Sequence, residues 1–217
     1  MQGGIVTVIA GCLLAIAAAG NAQTAPLDDL LAHRAGASAC FTRVYDETHL
    51  RQHPRQKTTF IAAWMKYEKL QGADGIALGF SLALRRRDDR DALFSQGGCA
   101  WSATANRDTS NNRLIAGFPK DEGAVCLQSA RPDVFDAVSA QEGGNLILDR
   151  GKEKNTLMVY LDDSLTMVKR VNRGRQLNIV FDTDDRVFIL RRTNAKDCAF
   201  IEEAVTAPEP GVRDRRR

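Results

Sequence analysis

The chain has 217 residues, with 30 Lys and Arg against 27 Asp and Glu for a net charge of +3, and with five cysteines and three histidines. That length can bury a substantial core, so a single main domain is expected. The tail TAPEPGVRDRRR carries +2 of the charge and leaves a nearly neutral body, which argues against a dedicated nucleic-acid binder.

From Ile5 to Ala19 the opening is almost wholly apolar, and no charged side chain precedes Asp28. The run is too short to cross a bilayer as a helix, which takes about 20 residues. Gly20 and Ala22 fit the −3 and −1 positions of a signal-peptidase site, so residues 1–22 read as a signal peptide and Gln23 as the mature N-terminus. The fragment IAGC ending at Cys12 looks like a lipobox, but it comes early and is followed by more apolar sequence. Export to the periplasm or beyond is the expectation, with membrane attachment only if Cys12 is lipidated.

Cleavage leaves Cys40, Cys99, Cys126 and Cys198. An even count in an oxidising compartment points to two disulfides, with three pairings open. The preferred pairing is Cys40 with Cys198, which joins the two ends of the folded region, and Cys99 with Cys126, which closes a polar loop. No C-x2-C pair occurs, so metal ligation by these thiols is disfavoured.

In chain order, residues 23–36 read as a linker, with about two loosely packed helical turns from Leu27 to Ala35. A β-rich domain follows over 37–204, and residues 205–217 read as a disordered basic tail. In YDETHLRQHP, Asp46 caps a short helical turn. The run from Thr58 to Leu70 carries both a helical stripe and strand formers, and the GADG turn after it decides for a strand in a hairpin. In GIALGFSLALRRR, Ile76, Leu78, Phe80, Leu82 and Leu84 alternate with small residues, the pattern of a half-buried strand. Further strands are expected at 93–103, 124–130, 145–149, 156–161, 165–171, 176–182 and 186–193, separated by turns such as DDS and DTDD. The sum is an all-β, single antiparallel barrel or sandwich of about eight strands, with short helical turns near the N-terminus. The polar stretch 103–123 is a long excursion of the kind that is often functional.

Site candidates are sparse. His49 and His53 would share a face on a continuous helix and, with Asp46, offer a metal-binding or metal-dependent alternative. Pro54 is expected to push His53 out of helical geometry and spoil that face. The acidic turns Asp162-Asp163 and Asp182 to Asp185 lack the glycine and distal glutamate of a calcium loop. Basic residues Arg85, Arg87, Arg170 and Arg173 are candidates for binding an anionic envelope ligand if their strands share a rim, although aspartates are interleaved at 88, 89 and 91. Gly97-Gly98 before Cys99, with Trp101 after it, suggest backbone crowding around a disulfide packed on an indole. No nucleophile elbow or phosphate loop occurs, so no catalytic residue and no cofactor are assigned.

The string CFTRVYDETHLRQHPRQK, the GGCAW and VCL segments and the closing DRVFILRRTNAKDC resemble a family of small exported, β-rich, cysteine-containing bacterial proteins with no assigned function. The resemblance spans about residues 38 to 200 and implies no site residue. The expectation is a monomeric exported protein that binds an envelope ligand or protein, hydrolase inhibition being one form of this.

Overall fold

Strand β1 (Ser38–Val44) turns Ala39 and Phe41 into the core and Cys40 to the outside, and the same two-residue alternation builds the rest of the sheet. The computed structural model describes residues 27–69, 75–105, 115, 118–120, 122–129, 143–169 and 172–206. The segment expected to be a signal peptide, with Cys12, and the tail beyond residue 206 lie outside the described residues.

The other strands are β2 (Thr58–Lys69), β3 (Ile76–Arg86), β4 (Asp89–Ser102), β5 (Gly123–Gln128), β6 (Asn145–Arg150), β7 (Thr156–Leu161), β8 (Ser164–Lys169), β9 (Asn172–Val180) and β10 (Val187–Thr193). Strands β1 to β7 pair antiparallel in sequence order, and β10 lies between β7 and β1. The result is a closed, eight-stranded, up-and-down barrel. The hairpin β8–β9 stands outside that ring. It joins β4 through Leu93↔Lys169 and Phe94↔Val168, while the second half of β4 pairs with β5. The barrel of about eight strands expected as one of two alternatives is therefore the fold, and the β8–β9 hairpin adds two strands outside its ring.

Eight strands enclose a lumen that side chains can fill. Phe41, Ile61, Met65, Phe80, Leu82, Leu84, Leu146, Leu148, Leu157, Val159, Phe188 and Leu190 fill it, all at most 1% exposed. Both ends are plugged. At one end Leu27, Leu30 and Leu31, in the stretch read as a linker, are buried in the same core. Each contributes about 1.5–3 kcal/mol of burial, so the turn is part of the fold. At the other end Leu165, Met167 and Phe181 of the hairpin region close the lumen.

Two outer faces are also covered. Helix α2 (Ala199–Thr206) lays Ile201 and Ala204 on Ala62, Ala83 and Phe94, and Phe200 packs near Phe60 and Phe94. The small alternate residue Ala83 is what lets the helix come this close. The disulfide Cys40–Cys198 fixes the helix to β1 with a Cα separation of 5.7 Å. On another face Ala105, Ile115 and Phe118 of the long excursion cover Val125, Ile147 and Tyr160. The second disulfide, Cys99–Cys126, bridges a directly opposed pair on β4 and β5, with Trp101 packed on the same core. Two disulfides are compatible with an oxidising, exported compartment.

Candidate functional site

The end of the barrel closed by the hairpin carries the most chemistry. Helix α1 (Glu47–Gln52) sits there, capped by Asp46, whose carboxylate accepts the His49 backbone N–H at 2.8 Å. His53 follows as the C-cap with φ −120° and ψ 74°, outside helical geometry, as the following Pro54 favours. The expected loss of the shared face does not follow, however. The His49 and His53 rings stack at 4.4 Å with 24° between planes, and the His53 N–H still donates to the His49 carbonyl at 3.0 Å, which keeps the two residues one helical turn apart. Tyr45 packs against His49 at 4.7 Å, and the Arg43 guanidinium lies 5.2 Å from the Tyr45 ring centroid, within cation–π range.

Gln56 holds this cluster in place. Its amide nitrogen donates to Thr58 O at 2.8 Å, so its amide oxygen faces His49 Nε2 at 3.0 Å. The network therefore assigns the proton of His49 to Nε2. Buried Asp185 secures the segment, accepting the Lys57 and Thr58 backbone N–H groups at 2.7 and 3.0 Å. Burial is the main cause that pushes the Tyr45 phenol up to about 12; Arg43 opposes the shift and Asp185 adds to it. Tyr45 is thus a neutral hydrogen-bonding group at physiological pH.

Arg43, Tyr45, His49, His53, Gln56, Thr183, Asp184, Val187 and Ile189 line an open concavity of about 310 Å³. Val187 and Ile189 point outward from β10, 39% and 47% exposed, between inward Phe188 and Leu190. The β1–β10 register, continued two residues past Thr42↔Arg191, sets Val44, 70% exposed, beside Ile189.

The acidic turns serve structural ends. Asp182 caps the 3-10 turn Thr183–Asp185, Asp184 pairs with Arg55 at 3.7 Å, and Asp163 meets Arg186 at 2.6 Å. Asp46 is occupied as the helix cap. Among the described residues no group of three or more His, Cys, Asp and Glu is placed to hold a metal ion.

The basic candidates divide. Arg87 donates to the Leu50 and His53 carbonyls and so ties the β3–β4 turn to the end of α1. Arg85 lies over the Phe60 ring. Arg86 binds Asp88 through two nitrogens and holds that carboxyl below its usual range, and the Lys169 ammonium, 2.7 Å from Asp89 and 3.2 Å from Asp91, likewise lowers the Asp89 carboxyl. Arg191 and Arg192 lie further along β10, on Glu153 and on the Leu30 carbonyl. Arg170 and the Arg173 side chain lie outside the described residues. No single positive rim is formed by the described members.

Sequence reasoning singled out Asp46, His49 and His53 but missed Arg43, Tyr45, Gln56, Val187 and Ile189. Tyr45 and Gln56 stood within the histidine stretch and Arg43 just before it; β10 joins the site across the sheet. Fold and site together define a disulfide-stapled closed β-barrel with a polar-aromatic rim. Compared with family models, curated proteins and solved structures, the chain matches none.

Proposed function

We propose that this is an exported binding protein that recognises a partner protein through the hairpin-closed end of its barrel. One observation carries the reading: Val44, Val187 and Ile189, three of the four exposed large hydrophobic residues among those described, lie together at that end. Exposed apolar groups gathered beside a rim of Tyr, Arg and His side chains mark an interaction surface. The lumen is occupied by the protein's own side chains, so an internal small-molecule site is not supported. No catalytic role is assigned, and inhibition of a hydrolase remains one form that such recognition can take. Export would place partner and barrel in the same oxidising compartment.

The test is recovery of the mature protein with its partners from its native envelope. A partner retained by the wild type and by Lys196→Ala, on another face, and lost with Ile189→Asp supports the rim. Equal recovery with Ile189→Asp overturns it.

A further inference from the structure

Among the described residues, closing the barrel leaves one free sheet edge: there β9 pairs with β8 alone, so its far side is an edge strand. Which of its main-chain groups face outward follows from two hydrogen bonds. Phe181 N donates to Asp163 O at 2.9 Å, in step with the β8–β9 register, so Ile179 and Leu177 also turn their N–H and C=O groups toward β8. Asn178 and Val180 turn theirs away. Thr166 agrees: opposite Asn178, it sends its N–H to Gly143 O at 2.7 Å rather than to β9.

A groove of about 420 Å³ lies along that edge. Three consecutive β9 residues, Asn178, Ile179 and Val180, line it. Side chains of consecutive strand residues point to opposite faces, so a groove touching all three runs along the edge rather than over one face. The far wall holds Lys57, Arg86, Asp88 and Asp89. Those charges are balanced and engaged with one another or with Lys169. Leu93 and Ile179 supply apolar lining. From Gln176 to Val180 the edge has no charge and no proline, the usual protections of an exposed strand.

We infer that β9 is a strand-accepting site: an extended, uncharged peptide segment of a partner protein pairs with the outward main-chain groups of Asn178 and Val180. Alternate side chains of that segment meet Ile179 on one side and solvent on the other. A neutral wall with its charges already engaged offers little to a charged ligand, whereas main-chain donors and acceptors without a partner among the described residues fit a strand. The site is separate from the Tyr45–Ile189 rim and does not rest on it.

The test has two arms, both on the full chain. In the free protein, native-state hydrogen exchange is expected to be slow at Leu177 and Ile179 and fast at Asn178 and Val180. Slow exchange at the latter pair would mean a covered edge and overturn the inference. Short peptides selected from a random display library on the protein are then titrated against wild type, Asn178→Thr and Asn178→Pro. Proline is tolerated on an edge where its missing N–H faces outward. The expected result is protection of the Asn178 and Val180 amides on binding, with affinity kept in Asn178→Thr and weakened about fivefold or more in Asn178→Pro. Undiminished binding to Asn178→Pro, protection at the Tyr45–Gln56 rim instead, or no selected peptide overturns it. A concentration-dependent dimer abolished by Asn178→Pro also overturns it, by assigning the edge to a second copy of this chain.

Discussion

Replacing Asp185 by alanine should destabilise the protein well beyond an ordinary surface change. The carboxylate accepts two main-chain N–H groups, from Lys57 at 2.7 Å and Thr58 at 3.0 Å. Thr58 is 1% exposed, so water cannot replace the lost acceptor there. Hydrogen bonds to a charged group contribute about 1.5–3 kcal/mol each, and an orphaned buried donor adds its own penalty. Allowing for non-additivity, Asp185→Ala should cost about 3–5 kcal/mol, a large part of the roughly 5–15 kcal/mol available to a domain. Asp185→Asn keeps one acceptor and should lose about half as much. Asp184→Ala, which removes only the 3.7 Å pair with Arg55, should stay within about 1 kcal/mol. Urea unfolding with both disulfides intact, followed by the fluorescence of Trp64 and Trp101, measures all three. NMR should also show displaced Tyr45 and His49 resonances in Asp185→Ala, since Lys57 adjoins Gln56. A loss under about 1 kcal/mol for Asp185→Ala would refute this account of how the rim is held.

Three further outcomes follow from particular residues. The raised Tyr45 pKa of about 12 means that the unfolded chain releases its phenol proton first, so the stability contribution is full below about pH 10 and is lost as pH rises toward 12. Wild type should lose about 1.4 kcal/mol more than Tyr45→Phe between pH 9 and pH 11, read from paired denaturant titrations. A Cβ on Gly97 would lie 1.9 Å from the Leu127 carbonyl oxygen, so Gly97→Ala should cost about 3 kcal/mol or more and lower the urea midpoint sharply. With loops of 158 and 27 residues, replacing Cys40 and Cys198 by serine should cost about 5 kcal/mol and replacing Cys99 and Cys126 about 3.5, a ranking that chemical denaturation of the two double variants checks.

The strands were legible where apolar residues alternate with small or polar ones. Leu78, Phe80, Leu82 and Leu84 alternate because the lumen takes one side of β3, and β10 shows the same inside–outside pattern, whereas β6 and β7, covered on both faces, read as short apolar runs between turns. β1 was less legible: Ser38–Val44 is short, and Cys40 on its outer face is buried under α2, which blurs the alternation. α2 was missed because eight residues after a strand give little periodicity, although Asn194 and Asp197 form a capping box that announces a turn of helix. Leu27, Leu30 and Leu31 read as a loose lead-in because nothing local shows that a barrel end needs a plug. At the site, the histidine pair was visible as a spacing, and its chemistry was not. The rim depends on β10 and on the Asp182–Asp185 connection meeting α1, a contact between segments more than 120 residues apart. Likewise, the open edge of β9 follows only from the topology, since no feature of QLNIV tells an edge strand from a paired one.

The central claim is that the hairpin-closed end recognises a partner protein. Its most direct test places a photo-crosslinking amino acid at Ile189 in the protein produced in its native cells, with Lys196 as the control position. The account predicts a discrete crosslinked partner from Ile189 that disappears when Val187→Asp is added, and none from Lys196. No adduct from Ile189, or the same adducts from both positions, would contradict it.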